Sequence, residues 1–148
     1  MKNSMTIIFD AVSENEAFAR NAVAAFCVTL DPTIDQINDI KTAVSEAVTN
    51  SIVHAYPDGG DNKVTVETTV DDDSVHIVVS DDGVGIGDIE SAMQPFFTTK
   101  PEQERSGMGF TVMESFMDKL TVERKSPSGT VVKMSKTIRG ADWKKKKR

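Results

Sequence analysis

A single cysteine, Cys27, stands among 148 residues, so the chain cannot close an internal disulfide, and a reducing cytoplasm is its expected home. Aromatic residues are sparse at 6%, with one Trp and one Tyr. No apolar run approaches the roughly 18 residues that cross a bilayer, so no membrane span is expected. The opening MKNSMTIIFDAV holds one lysine and a short apolar stretch before Asp10, which makes a poor secretion signal. Two common nucleotide signatures are also missing: the phosphate loop that ends in Gly-Lys-Ser/Thr, and the spaced-glycine dinucleotide fingerprint.

Positive charge is scarce over most of the chain. Residues 1–138 hold 11 Lys/Arg against 22 Asp/Glu, whereas residues 139–148 hold six Lys/Arg and one Asp, for a net charge of −6. An acidic body repels a nucleic-acid backbone, which excludes direct nucleic-acid binding and favours a protein partner with a basic face. The Lys-rich end after Trp143 reads as a solvated, disordered tail. With 39% hydrophobic and 27% charged residues, the remainder suits one soluble domain over residues 1–138. Cys27, in an Ala/Val/Phe-rich segment, reads as core filler.

Residues 4–9 read as a first strand. Ser13 and Glu16 have capping-box spacing, and Phe18, Ala22, Ala25, Phe26 and Leu30 mark the apolar stripe of the helix that follows. Asp31-Pro32 ends that helix. A second helix is predicted from about Thr33 to Tyr56, with Ile37, Ile40, Val44, Ala47, Val48 and Ile52 inward, and Pro57-Asp58-Gly59-Gly60 stops it. Two alternating runs, 63–70 and 75–79, flank Asp71-Asp72-Asp73 as a hairpin with a solvated turn. A glycine-rich stretch (81–87), a short helix (88–93) and a long loop (94–108) come next. Phe110 to Asp118 then reads as a helix with Val112, Met113, Phe116 and Met117 inward. Thr121–Lys125 and Thr130–Lys136 close the chain as two strands. This order predicts an α+β two-layer sandwich, a mixed, mostly antiparallel sheet covered on one face by helices.

Three segments carry candidate chemistry. In SEAVTNSIVHAY, Glu46, Asn50 and His54 recur at intervals of four and share a helix face, a spacing that any solvated helix face could also show. Asp81-Asp82-Gly83-Val84-Gly85 follows a strand directly. Its glycines let backbone approach a flat ligand, and a strand-end carboxylate can accept from the exocyclic amine of adenine while repelling guanine's oxygen. A plain turn fits that run equally well. In the third segment, Thr98, Thr99, Lys100, Arg105 and Ser106 supply donors and positive charge on a loop of lid-like length. Gly107, Met108 and Gly109 follow, opening a helix whose free amides attract phosphate.

In this order the three segments resemble the N, G1 and G2 boxes of the ATPase superfamily shared by gyrase, heat-shock chaperones, histidine kinases and MutL, with its Bergerat-type ATP-binding fold. Gly129-Thr130 resembles that superfamily's last small motif. Within it, SEAVTNSIVHAY and QPFFTTKPEQERSGMGFTVMESFMD resemble the anti-sigma F serine kinases of spore-forming bacteria, over roughly residues 5–137. The resemblance implies Glu46 as the general base and Asn50 as a magnesium ligand. It implies Asp81 as the adenine-reading carboxylate beside Gly83 and Gly85. Thr99, Lys100, Arg105, Ser106, Gly107, Met108 and Gly109 become the lid and phosphate contacts, Thr130 the hydroxyl behind the adenine, and Arg20 a partner contact. The cofactors implied are ATP and Mg2+. The partners implied are sigma F, an anti-anti-sigma factor phosphorylated on serine, and a second copy of the chain. Two departures stand out: Ala55 replaces a glycine usual after the N-box histidine, and the basic tail is unlike the family ending.

Other functions fit less well. A histidine kinase needs a phosphoacceptor histidine on a helical hairpin, and this chain offers only His54 and His76. A catalytically idle nucleotide-binding module would be expected to lack the base or the metal ligand, whereas Glu46 and Asn50 are both present. A kinase serving a stress-response sigma factor would share all of this chemistry and differ in its partner.

Overall fold

The structure is a computed structural model that describes residues 2–56, 62–85, 93 and 109–138. Strands β1 (Lys2–Asp10), β2 (Lys63–Asp71), β3 (Ser74–Asp81), β4 (Lys119–Arg124) and β5 (Thr130–Thr137) form one sheet in the order β1-β2-β3-β5-β4. Every pairing among them is antiparallel. Helices α1 (Glu14–Cys27), α2 (Ile34–Asn50) and α3 (Gly109–Phe116) pack on the sheet, giving the expected α+β sandwich. The expected short helix at 88–93, the loop 94–108 and the stop at 57–60 fall almost wholly outside the described residues.

Period-two alternation builds the inner layer. Val64, Val66, Thr68 and Val70 of β2 are buried, as are Val75, Ile77 and Val79 of β3, and Val132 and Met134 of β5. In a strand, alternate side chains share a face, so the inner row of β3 continues to Asp81, and that of β5 begins at Thr130. Those two residues pair across the sheet and both are buried. A carboxylate therefore sits where the pattern calls for a valine. The β2–β3 turn is tight, with Asp72 at φ 55°, and Asp71, Asp72 and Asp73 are exposed as expected.

Two local readings are corrected. The buried stripe of α1 is Ala19, Val23, Ala24 and Cys27, not the row through Phe18 and Ala25. Phe18 is 56% exposed, and Phe26 and Leu30 only flank the core. Small side chains on the inner face let α1 lie close to α2, which a phenylalanine there would prevent. Ser13 makes no side-chain cap: its backbone is itself helical at φ −57° and ψ −31°, and the Glu16 amide donates to its carbonyl oxygen at 3.2 Å, while both carboxylate oxygens of Glu16 are engaged by Arg20 Nη1 at 2.7 and 2.8 Å. The capping box lies instead on α2. There Thr33 Oγ1 accepts from the Gln36 amide and Gln36 Oε1 accepts from the Thr33 amide.

Helix α2 buries Ile40, Ala43, Val44, Ala47 and Val48 and then widens into a π turn over Ser51–Ala55, so the helical path runs almost to Tyr56 as expected. On α3, Phe110, Met113 and nearby Met117 are buried. Phe116, expected inward, is 37% exposed.

Candidate nucleotide site

The end of α2, the exit of β3 and the entry of β5 meet at Asp81. Its side chain is held from two sides: Ser51 Oγ donates to Oδ2 at 2.9 Å and the Gly83 amide donates to Oδ1 at 3.0 Å. Burial raises the pKa of this carboxyl above its ordinary value and nearby Asp82 adds to the rise, whereas the bonds from Gly83, Ser51 and the Thr130 backbone oppose it. Donors that favour the charged form offset part of the desolvation.

The glycines have a visible reason. A Cβ at Gly83 would lie 2.2 Å from the Ala55 carbonyl oxygen, and the next amide, Val84, donates to that same oxygen at 2.8 Å. The helix end and the glycine run are thus in backbone contact through Ala55. Gly129 at φ 121° approaches the Asp81 carbonyl so closely that a Cβ would sit 2.0 Å from it. Gly85 is left-handed at φ 78°.

Several residues bracing this run were not singled out from the sequence. The Tyr56 hydroxyl accepts from the Asp82 amide and donates to the Lys63 carbonyl, both at 2.8 Å. Burial is the first cause of its raised pKa. Lys125 Nζ lies 2.7 Å from Asp82 Oδ1, a bond that raises the lysine's pKa. Ser128 Oγ donates to the Gly83 carbonyl. Ser51 itself was legible in principle, because it falls on the buried stripe of α2 and its extension, and a serine there needs a polar partner.

One helical turn before Asn50, Glu46 faces a different space. An open groove of about 360 Å³ is lined by Glu16 and Arg20 of α1 and by Asn38, Lys41, Thr42, Ser45 and Glu46 of α2. The structure therefore brings Glu46 and Arg20 to one groove. It brings Asp81, Gly83, Gly85 and Thr130 together at the exit of β3, and Asn50 ends α2 next to Ser51. Gly109 is buried at the start of α3. Thr99, Lys100, Arg105, Ser106, Gly107 and Met108 lie outside the described residues.

Among the described residues no cluster of three or more His, Cys, Asp or Glu could hold a metal ion. A single amide oxygen at Asn50 fits magnesium, which retains waters and takes most of its other ligands from phosphate. Also among the described residues, no helix is long and apolar enough to cross a membrane.

The arrangement matches a known domain class. Residues 9–136 match the family described as Histidine kinase-like ATPase domain, a class that implies nucleotide binding. The catalytic domain of the histidine kinase ThkA superposes with a TM-score of 0.58 at 18% identity, covering 90% of this chain and 96% of that one. A Mycobacterium tuberculosis structure of RsbU and RsbW domains gives 0.67 at 18% identity, over 92% of this chain and 32% of that one. In sequence, the anti-sigma F factor of Bacillus subtilis is 51% identical over 93% of this chain and 94% of its own length. That of Clostridium beijerinckii is 58% identical over 90% and 94%. The chain belongs to the anti-sigma F factor family.

Proposed function

We propose that this chain is an ATP-dependent protein serine kinase that phosphorylates an anti-anti-sigma factor, and that it also binds sigma F and withholds it from RNA polymerase. The observation that carries the reading is the division of labour along α2. Glu46 and Arg20 line one groove, and about 7.5 Å further along the helix axis, at 1.5 Å per residue, Ser51 holds the buried Asp81.

In this reading Asp81 accepts from the adenine amine, with Gly83 and Gly85 giving the base room and Thr130 behind it. Glu46 takes the proton of the acceptor serine as its oxygen bonds to the γ-phosphorus, and the bond to the β,γ-bridging oxygen breaks to leave ADP. Asn50 holds magnesium, which when bound neutralises phosphate charge. Thr99, Lys100, Arg105, Ser106, Gly107, Met108 and Gly109 contact the phosphates and form the lid. Arg20, already in the groove, meets the partner protein. The active unit is a pair of chains, which sedimentation at twice the 16.1 kDa monomer mass would register.

The test is incubation with magnesium, labelled ATP and the candidate anti-anti-sigma protein, followed by acid and base treatment of the product. Label that survives acid and is lost in base marks phosphoserine. Glu46→Gln should leave ATP affinity and sigma F binding nearly intact while lowering transfer by roughly 10²- to 10⁴-fold, the usual worth of a general base. Transfer at the normal rate would remove Glu46 from that role. Nucleotide and sigma F binding with no transfer by the unaltered chain would make it an idle module.

A further inference from the structure

We infer that Ser51 is a positioning residue that sets the preference for adenine over guanine by holding the Asp81 carboxylate in one orientation. This rests on the nucleotide-site reading above and extends it to a residue that reading does not use. Ser51 is one of four polar or charged residues buried among those described, with Asp81, Thr68 and Thr130. Its hydroxyl spends its one proton on Asp81 Oδ2 at 2.9 Å. The Gly83 amide holds the other oxygen at 3.0 Å. Rotation about the terminal bond of an aspartate is soft; the Gly83 and Thr130 backbones hold the carboxylate from the strand ends, and Ser51 is the side-chain donor that holds Oδ2 from the helix end.

The local backbone explains why serine can do this. Ser51 opens the π turn, in which hydrogen bonds close over five residues rather than four. In a regular α-helix, residues 51 and 56 would point about 140° apart at 3.6 residues per turn. The wider turn brings them toward one side, where Ser51 reaches the Asp81 side chain and Tyr56 reaches the Asp82 amide. Ala55 meets Gly83 and Val84 between them. The widened turn is thus fitted to the strand exit at three points, and Ser51 is the one that touches the base-reading group.

Equilibrium binding of ATP and GTP to the full chain and to Ser51→Ala, Ser51→Cys, Asp81→Asn and the Ser51→Ala/Asp81→Asn double variant tests this. Ser51→Ala should weaken ATP by roughly ten- to hundredfold, the range for losing a hydrogen bond to a charged group. GTP binding should change little, so the ATP:GTP ratio falls by a similar factor. Ser51→Cys keeps a side chain of similar shape but donates weakly, and it should behave like Ser51→Ala even if the alanine variant folds poorly. In the Asp81→Asn background, Ser51→Ala should have almost no further effect, because it acts through the carboxylate. An unchanged ATP:GTP ratio in the single variants, with or without a loss of thermal stability, overturns the inference. So does additivity in the double variant. An unaltered chain that binds neither nucleotide overturns the site reading and this inference together, whereas selective ATP binding that ignores Ser51 overturns this inference alone.

Discussion

At the residue scale, Asp81 is the informative conflict. A carboxylate occupies the end of an inner strand row otherwise filled by Val75, Ile77 and Val79, and burial raises its pKa. Between the unfolded value of about 3.9 and the raised folded value, the folded chain binds more protons than the unfolded one. Stability therefore falls as pH rises through that window; the penalty is absent below it and full above it. Asp81→Asn should remove the penalty. In thermal melts without nucleotide, the variant should match the unaltered chain in acid and equal or exceed it at neutral pH, while adenine nucleotide binding weakens by roughly 1–3 kcal/mol. A variant markedly less stable at neutral pH would contradict this. Asp81, Gly83 and Gly85 were legible because a strand running into an Asp-Gly pattern is a local signal. Ser51 was harder to see: its place on the inner stripe calls for a polar partner, but that partner lies thirty residues away and spacing does not name it. Cys27 behaves as its composition suggested: burial pushes its thiol up to about 11, far from a reactive thiolate.

At the scale of elements, the hairpin, both closing strands and the long second helix follow from periodicity, because each side of the sheet repeats every second residue. Helix α1 does not. Apart from Glu14, Asn15, Glu16, Arg20 and Asn21, its residues are Ala, Val, Phe and Cys spread over two adjacent faces, so periodicity does not choose between them, and the choice falls to the close approach of α2. The capping boxes show the same dependence on context. Thr33, extended at φ −71° and ψ 166°, caps α2 with Gln36, whereas Ser13 has helical backbone angles and makes no side-chain cap. Thr33→Ala should therefore cost about 1 kcal/mol of folding stability, within the range for a lost N-cap. Ser13→Ala should cost no more than a few tenths. Chemical denaturation of both variants checks this, and equal losses would contradict the assignment. The π turn left no mark in the sequence, because five residues are too few for a change of period to register in hydrophobic spacing.

At the scale of the molecule, element order and alternation were enough for the two-layer α+β architecture, and three short motifs in sequence were enough for the ATPase class to which the matched family corresponds. The folded domain reaches at least to Ile138. Ile138 is buried, at 2% exposure, and its amide donates to the Asp73 carbonyl at 2.6 Å. We propose that the domain ends after this residue, with residues 139–148 as a tail that its function does not need. A chain cut after Ile138 should keep its melting temperature and its phosphoryl-transfer rate. One cut after Thr137 should be less stable by about 1.5–3 kcal/mol, the burial worth of an isoleucine. A large loss of transfer from the first cut would show that the basic tail takes part in function.

The central claim is that one nucleotide bridges the end of α2 and the exit of β3. A crystal structure of the chain grown with magnesium and a non-hydrolysable ATP analogue measures this directly. The adenine amine is predicted to lie about 2.7–3.2 Å from an Asp81 carboxylate oxygen, with Ser51 still bonded to the other, the metal on the Asn50 amide oxygen, and the terminal phosphate turned toward the Glu46 groove. Adenine seated away from Asp81, or Asn50 and Asp81 facing separate pockets, would contradict it.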